Sequence, residues 1–257
     1  MARTVAPLDT PEPDAPKDRR LEVIYSSVVL LVVAFALWTF PVVRVVINPL
    51  KLFVIGWHEF CHIAAAILTG GTILSISIDP NLGGACEIEG GWAPLILSSG
   101  YIGSIGFGGA LMLGGWDILV AKILSFVIGF GLIMPLSLVR DKITIMLTII
   151  YEILLIAFWF IDHGNALRWY SLFLGILCIL YPFWDLLDER FKKKQNTSDI
   201  SQFSVMFPSI PRGVWTFGWC LLTTGALLGF SAIGYERFAL NSLQMYEEAN
   251  TFLPTKH

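Results

Sequence analysis

Hydrophobic and polar positions divide the chain into long apolar runs joined by short polar links. Residues 1–20 are polar, proline-containing and of mixed charge. They predict a disordered tail rather than a signal peptide, because the apolar run behind them is too long and lacks a cleavage site. Residues 21–43 are long enough to span a bilayer as a helix, for which roughly 20 residues suffice. Residues 53–69 form a second, shorter apolar run, which predicts a helix starting below the membrane surface or among other helices. Residues 70–91 break the pattern. "TILSISIDP" alternates Ile and Leu with Ser and Thr, a strand period, and "NLGGACEIEGG" supplies turn residues and a second extended piece. Together they predict a hairpin or edge strand at the membrane face. Further apolar runs cover 93–115, 118–139, 143–161, 167–187 and 214–233, ahead of a polar tail at 236–257. The pattern predicts an all-α polytopic membrane protein of about seven transmembrane helices, with 21–235 as one membrane domain and a β-hairpin after the second helix.

Composition agrees. Of 257 residues, 55% are hydrophobic and 14% charged, against about 25% charged in soluble domains. The net charge of −3 gives no case for nucleic-acid binding. Cys61, Cys86, Cys178 and Cys220 are scattered without a CxxC pair, so neither a zinc ribbon nor a disulfide framework is indicated. Cys61 reads as a small buried filler. Gly106, Ala110 and Gly114 recur every four residues, as do Ser99 and Gly103. Such spacing lets helices approach closely in a bilayer. Lys122 is expected to snorkel from near a helix end.

The distribution of Lys and Arg sets the expected orientation. With a cytosolic N-terminus, Arg3, Lys17, Arg19, Arg20, Arg140, Lys142, Arg190, Lys192, Lys193, Lys194 and Arg212 share its side. Arg44, Lys51, Arg168, Arg237 and Lys256 then lie opposite. The excess favours a cytosolic N-terminus, and the chain is expected in an endomembrane. Asn196-Thr197-Ser198 matches the glycosylation acceptor pattern, but this orientation keeps it cytosolic and unmodified.

One apolar run holds the candidate chemistry. "WHEFCH", Trp57 to His62, places two histidines and a glutamate where ionisable groups are costly. His58, Glu59 and His62 form H-E-x-x-H. On a helix, residues four apart share a face, so both imidazoles reach one Zn²⁺ ion. Glu59, next along, is placed to take a proton from a metal-bound water. The bland alternative is a polar network that merely links helices. A catalytic zinc needs a third protein ligand and an open position. Asp185, at the end of an apolar span in "LYPFWD", ranks first and Asp188 second. His163, Glu152 and Asp117 stand behind them, and Glu152 has Lys122 or Lys142 as possible ion-pair partners.

The combination resembles the site-2 protease family of intramembrane zinc metalloproteases. "WHEFCHIAAAILTGG", "DPNLGGACEIEGG", "LSSGYIGSIGFGGALM", "YPFWDLLDE" and "NTSDISQF" are similar to its small eukaryotic branch, common in fungi and plants. The resemblance covers residues 50–205. It implies zinc held by two histidines and an aspartate, with the glutamate activating water. His58 and His62 carry over as ligands, Glu59 as the base and Asp185 as the aspartate. Asp185 stands in Asp-Leu-Leu-Asp, not before glycine as in better-known members, so the choice between Asp185 and Asp188 stays open. The resemblance also implies a transmembrane protein substrate. A membrane helix must be locally unwound before water attacks its backbone, and the strand at 72–79 is a candidate to hold it extended by strand addition. The competing readings are an inactive metal-binding scaffold that binds transmembrane helices, and a metal transporter.

Overall fold

The computed structural model describes residues 16–40, 43, 45–79, 83–138, 140–192, 198–238 and 240–253. Helix α1 (Pro16–Thr39) and helix α2 (Asn48–Leu68) precede the antiparallel strands β1 (Thr72–Asp79) and β2 (Gly83–Glu89). Helices α3 (Ala93–Gly114), α4 (Ile118–Ile133), α5 (Lys142–Phe160), α6 (Asn165–Ile179) and α7 (Tyr181–Lys192) follow. Helices α8 (Asp199–Met206), α9 (Arg212–Arg237) and α10 (Ser242–Thr251) complete the described chain. Among the described residues, six helical stretches are long and apolar enough to cross a membrane: α1, α2, α3, α4, α5 with α6, and α9. Their outward faces carry Val28, Val32, Phe130, Ile153 and Leu228, as expected of helices that satisfy their own backbone groups in lipid. The protein is a multi-pass membrane protein.

Helix α3 is central, packed against α2, α6 and α9. Glycine brings its backbone onto α6: a Cβ on Gly108 would lie 2.6 Å from Ile179 N, and one on Gly175 would lie 2.5 Å from Met112 N. Close approach of this kind is how helices bind in lipid, where burying apolar surface gains little. Only part of the small-residue stripe read from sequence acts this way. Gly114 meets Ser171 and Gly103 meets Cys61, whereas Gly106 faces open space.

Three sequence expectations change. The run at 167–187 divides near Leu180 into α6 and the more polar α7. The polar C-terminal stretch contains α10, opened by a reciprocal Asn241–Gln244 cap. Lys122 does not snorkel. It is fully buried, and its Nζ donates to Ala249 O at 3.1 Å and Leu253 O at 3.4 Å, a cation at the carbonyl end of α10.

The placement of two arginines also departs from the sequence count. Arg19 and Arg168, placed on opposite faces by the sequence count, line one cavity. Helix α1 begins, α3 ends, α6 begins and α9 ends around it. The start of α1 and the end of α3 therefore lie at one end of the bundle, where the sequence count puts them on opposite faces. Helix α2 accounts for the difference, since Asn48 to Ile55 are all buried and the helix begins inside the bundle. Lys51, counted as a loop cation, is 1% exposed with its Nζ 4.7 Å from the Trp38 ring centroid.

The hairpin is as its alternation predicts. Thr72 pairs with Glu89 and Asp79 with Gly83, with an irregularity between Ile73 and Ser75. Its turn, 80–82, and most of the acceptor triplet at 196–198 lie outside the described residues, as do residues 1–15 of the expected tail.

Candidate metal centre

The H-E-x-x-H segment lies in the middle of α2, and all three of its ionisable residues are buried. Helical spacing brings the two imidazoles together edge to face, with His58 Nε2 3.0 Å from His62 Nε2. His62 Nδ1 is 2.7 Å from Ile96 O at the start of α3. A carbonyl only accepts, so Nδ1 carries the proton and the Nε2 lone pair is left to face inward.

The third member comes from far along the chain. Asp199 Oδ2 lies 3.1 Å from His58 Nε2 and 3.1 Å from His62 Nε2. Among the described residues, His58, His62 and Asp199 are the one group of three whose ligand atoms converge closely enough for a metal ion. Burial works to raise the Asp199 carboxyl, but the two imidazoles outweigh it and hold it well below the usual carboxylate range.

Asp185, expected as the third ligand, is elsewhere. It is buried, and its Oδ2 accepts from Tyr101 Oη at 2.6 Å. Asp188 accepts from Trp38 Nε1 at 3.3 Å. The division of the apolar run explains both: past Leu180 the chain becomes α7, and its carboxylates serve α3 and α1. His163 lies against Tyr246 of α10, Asp117 caps α4 through Val120 N, and Lys122 is engaged by α10, with no ion pair to Glu152 among those described.

A local network fixes Asp199. It opens α8, where a negative charge suits the helix dipole. Ser198 caps the helix, accepting from Ser201 N at 3.3 Å. Glu189 of α7 accepts from the hydroxyls of Ser198 and Ser201, and from Arg212 Nη2 at 2.7 Å. Phe203 stacks on Trp215 at 4.7 Å and seats α8 on α9. A polar linker is thereby folded back to the histidines. The sequence signal was present in "NTSDISQF": a serine cap, an acid in the first turn, and Ile200 and Phe203 on a buried face. A search confined to carboxylates in apolar spans passes over it.

Two glycines shape the site from the other sides. A Cβ on Gly100 of α3 would fall 2.4 Å from His58 Cε1 and 2.5 Å from His62 Nε2. A Cβ on Gly84 of β2 would collide with the Glu59 carboxylate, so the hairpin lies directly on Glu59. The Tyr181 ring flanks His58 at 4.4 Å.

The donor set fits a divalent ion. Two imidazole nitrogens and a carboxylate oxygen face one another with sides of 3.0–3.1 Å. Ligands held about 2.0–2.1 Å from one tetrahedral centre stand roughly 3.3 Å apart. Among the described residues no donor other than the imidazoles reaches Asp199 Oδ2, and three facing lone pairs repel unless a cation or proton lies between them.

No curated protein and no solved structure matches the chain. A family model described as Peptidase M50B-like matches residues 27–230, which takes in α2, the hairpin, α3 and α8. The chain belongs to the Peptidase M50B-like family, and so to the site-2 protease family of intramembrane metalloproteases.

Proposed function

We propose that the protein is a zinc endopeptidase that cuts peptide bonds of membrane-spanning proteins. The observation that carries this reading is the convergence of His58, His62 and Asp199 beside the buried Glu59. Those three would hold the metal. Bound there, zinc would lower the pKa of a coordinated water to about 7 and polarise the scissile carbonyl.

Glu59 takes the proton from the attacking water and returns it to the departing amine. Its position follows from β2, which packs on it at Gly84. His62 is kept in the right tautomer by Ile96 O. Asp199 supplies a negative charge, held in place by Ser198, Ser201 and Glu189 through α8. The hairpin beside Glu59 presents an exposed edge on β1, which suits an unwound substrate segment added as a strand.

The test is cleavage of transmembrane peptides by purified protein reconstituted in lipid, wild type beside Glu59→Gln. The expected result is zinc bound in both and cleavage in the wild type alone. Equal processing by the two would remove Glu59 from the chemistry. Zinc and helix binding in both, with no cleavage across a broad peptide set, would make the chain a scaffold.

A further inference from the structure

We propose that one end of the helix bundle is a binding site for an anionic phospholipid, with the phosphate on an arginine cluster and an acyl chain between α1 and α9. This inference does not depend on the zinc centre.

The polar half is a cavity lined by Arg19, Arg20, Arg168 and Trp116. Arg168 is 2% exposed; its Nε donates to Gly115 O at 3.0 Å and its Nη1 to Asn165 Oδ1 at 2.7 Å. Its Nη2 has no partner among the described residues. Trp116, 4% exposed, leaves Nε1 unpartnered, and so does Arg20 at Nε. Arg20 lies over the Tyr235 ring at 4.9 Å. Arg19 is turned partly away, toward Leu240 O and Met245 Sδ. No ion pair to Arg20 or Arg168 is present among the described residues. Of the nearby carboxylates, Asp117 accepts from Val120 N and Asp162 from Asn165, Glu22 is exposed, and Glu236, also exposed, lines the groove beside Tyr235. Buried donors left unpaired are costly, and a guanidinium more so. An anion oxygen in the cavity is placed to answer the guanidinium donors, whereas Trp116 Nε1 packs against Gly234 of α9.

The apolar half adjoins it. A groove of about 420 Å³ runs between α1 and α9 over Met112 and Ile176, and it shares Trp116 with the arginine cavity. Ile24, Val28 and Leu31 form one wall, and Leu227 and Leu228 the other. Its size is that of a small-molecule site. The arginine cavity encloses only about 10 Å³, room for one water-sized oxygen. A phosphate would therefore reach in with one oxygen and rest at the mouth. The cluster sits where four helices begin or end, which in a bilayer is headgroup depth, and the groove descends from it toward the hydrocarbon. Cationic mouth and apolar channel in that order match a lipid rather than a free anion or a second protein helix.

The test uses the full chain in nanodiscs of phosphatidylcholine with and without phosphatidate, read by native mass spectrometry. Wild type should retain phosphatidate in preference to phosphatidylcholine. Arg20→Gln, at the partly exposed mouth, should weaken retention about tenfold, the scale of one lost charge-assisted hydrogen bond, and Ala232→Phe, which fills the groove, should weaken it by excluding the acyl chain. A thermal melt with inorganic phosphate alone separates the sources. Stabilisation by phosphate that depends on Arg20 and ignores Ala232→Phe would assign the cavity to a free anion and overturn the lipid. Equal retention of both lipids, or indifference to Arg20→Gln, would overturn it too.

Discussion

Replacing Asp199 by Asn is the sharpest probe of the metal centre. The exchange keeps the size of the side chain and removes the negative charge facing two imidazoles at 3.1 Å. Breaking a buried charge arrangement by neutralising one member costs about 3–5 kcal/mol. At about 1.4 kcal/mol per decade, that is roughly two to three and a half decades in zinc affinity. The matching control is Asp185→Asn. It gives up a charge-assisted hydrogen bond from Tyr101, worth about 1.5–3 kcal/mol, and should lower the melting temperature while leaving zinc in place. Both variants, purified in detergent, would be assayed for zinc by mass spectrometry and for affinity by competition with a chromophoric chelator. Stoichiometric, tightly held zinc in Asp199→Asn, with loss in Asp185→Asn, would refute the assignment and restore the aspartate ranked first from sequence.

Other consequences follow from the same geometry. Gly100→Ala drives a methyl to within 2.4 Å of His58; overpacking of about 1–3 kcal/mol and weaker zinc in the chelator assay are expected, and unchanged affinity would argue against the packing described. Ser198→Ala removes the cap that seats Asp199; it should cost about 0.5–2 kcal/mol in a denaturant melt and roughly 10–100-fold in zinc affinity. Zinc affinity should fall as pH drops from neutral, because protons compete for the imidazoles that must be neutral to bind metal. A titration flat from neutral to acid pH would exclude the histidines as ligands.

The parts of the fold that obey a period were legible in sequence. Apolar runs became helices, the Ile/Ser alternation became β1, and H-E-x-x-H sits on one face of α2. What escaped depends on where the chain goes between elements. Asp199 lies in a polar linker whose composition says solvent, and only the cap at Ser198, the contacts of Glu189 and the Phe203–Trp215 stack turn it inward. Arg168 and Lys122 look like ordinary boundary charges. Their roles come from carbonyls and helix ends brought to them by α3 and α10. Hydropathy reports that a residue is near a helix end, not which other ends share that level.

The distance along the chain between α2 and α8 has a consequence for how the protein is made. The histidines leave the ribosome about 140 residues before the aspartate that completes their set. At 5–20 residues per second, that interval is roughly 7–28 s. Throughout it, the nascent chain holds a two-histidine site with incomplete charge and low metal affinity. The proposed cutting centre is therefore absent while neighbouring membrane segments are still being inserted. It assembles only after α8 emerges and docks, so a chain truncated before α8 would fold its first helices without acquiring a metal-loaded site.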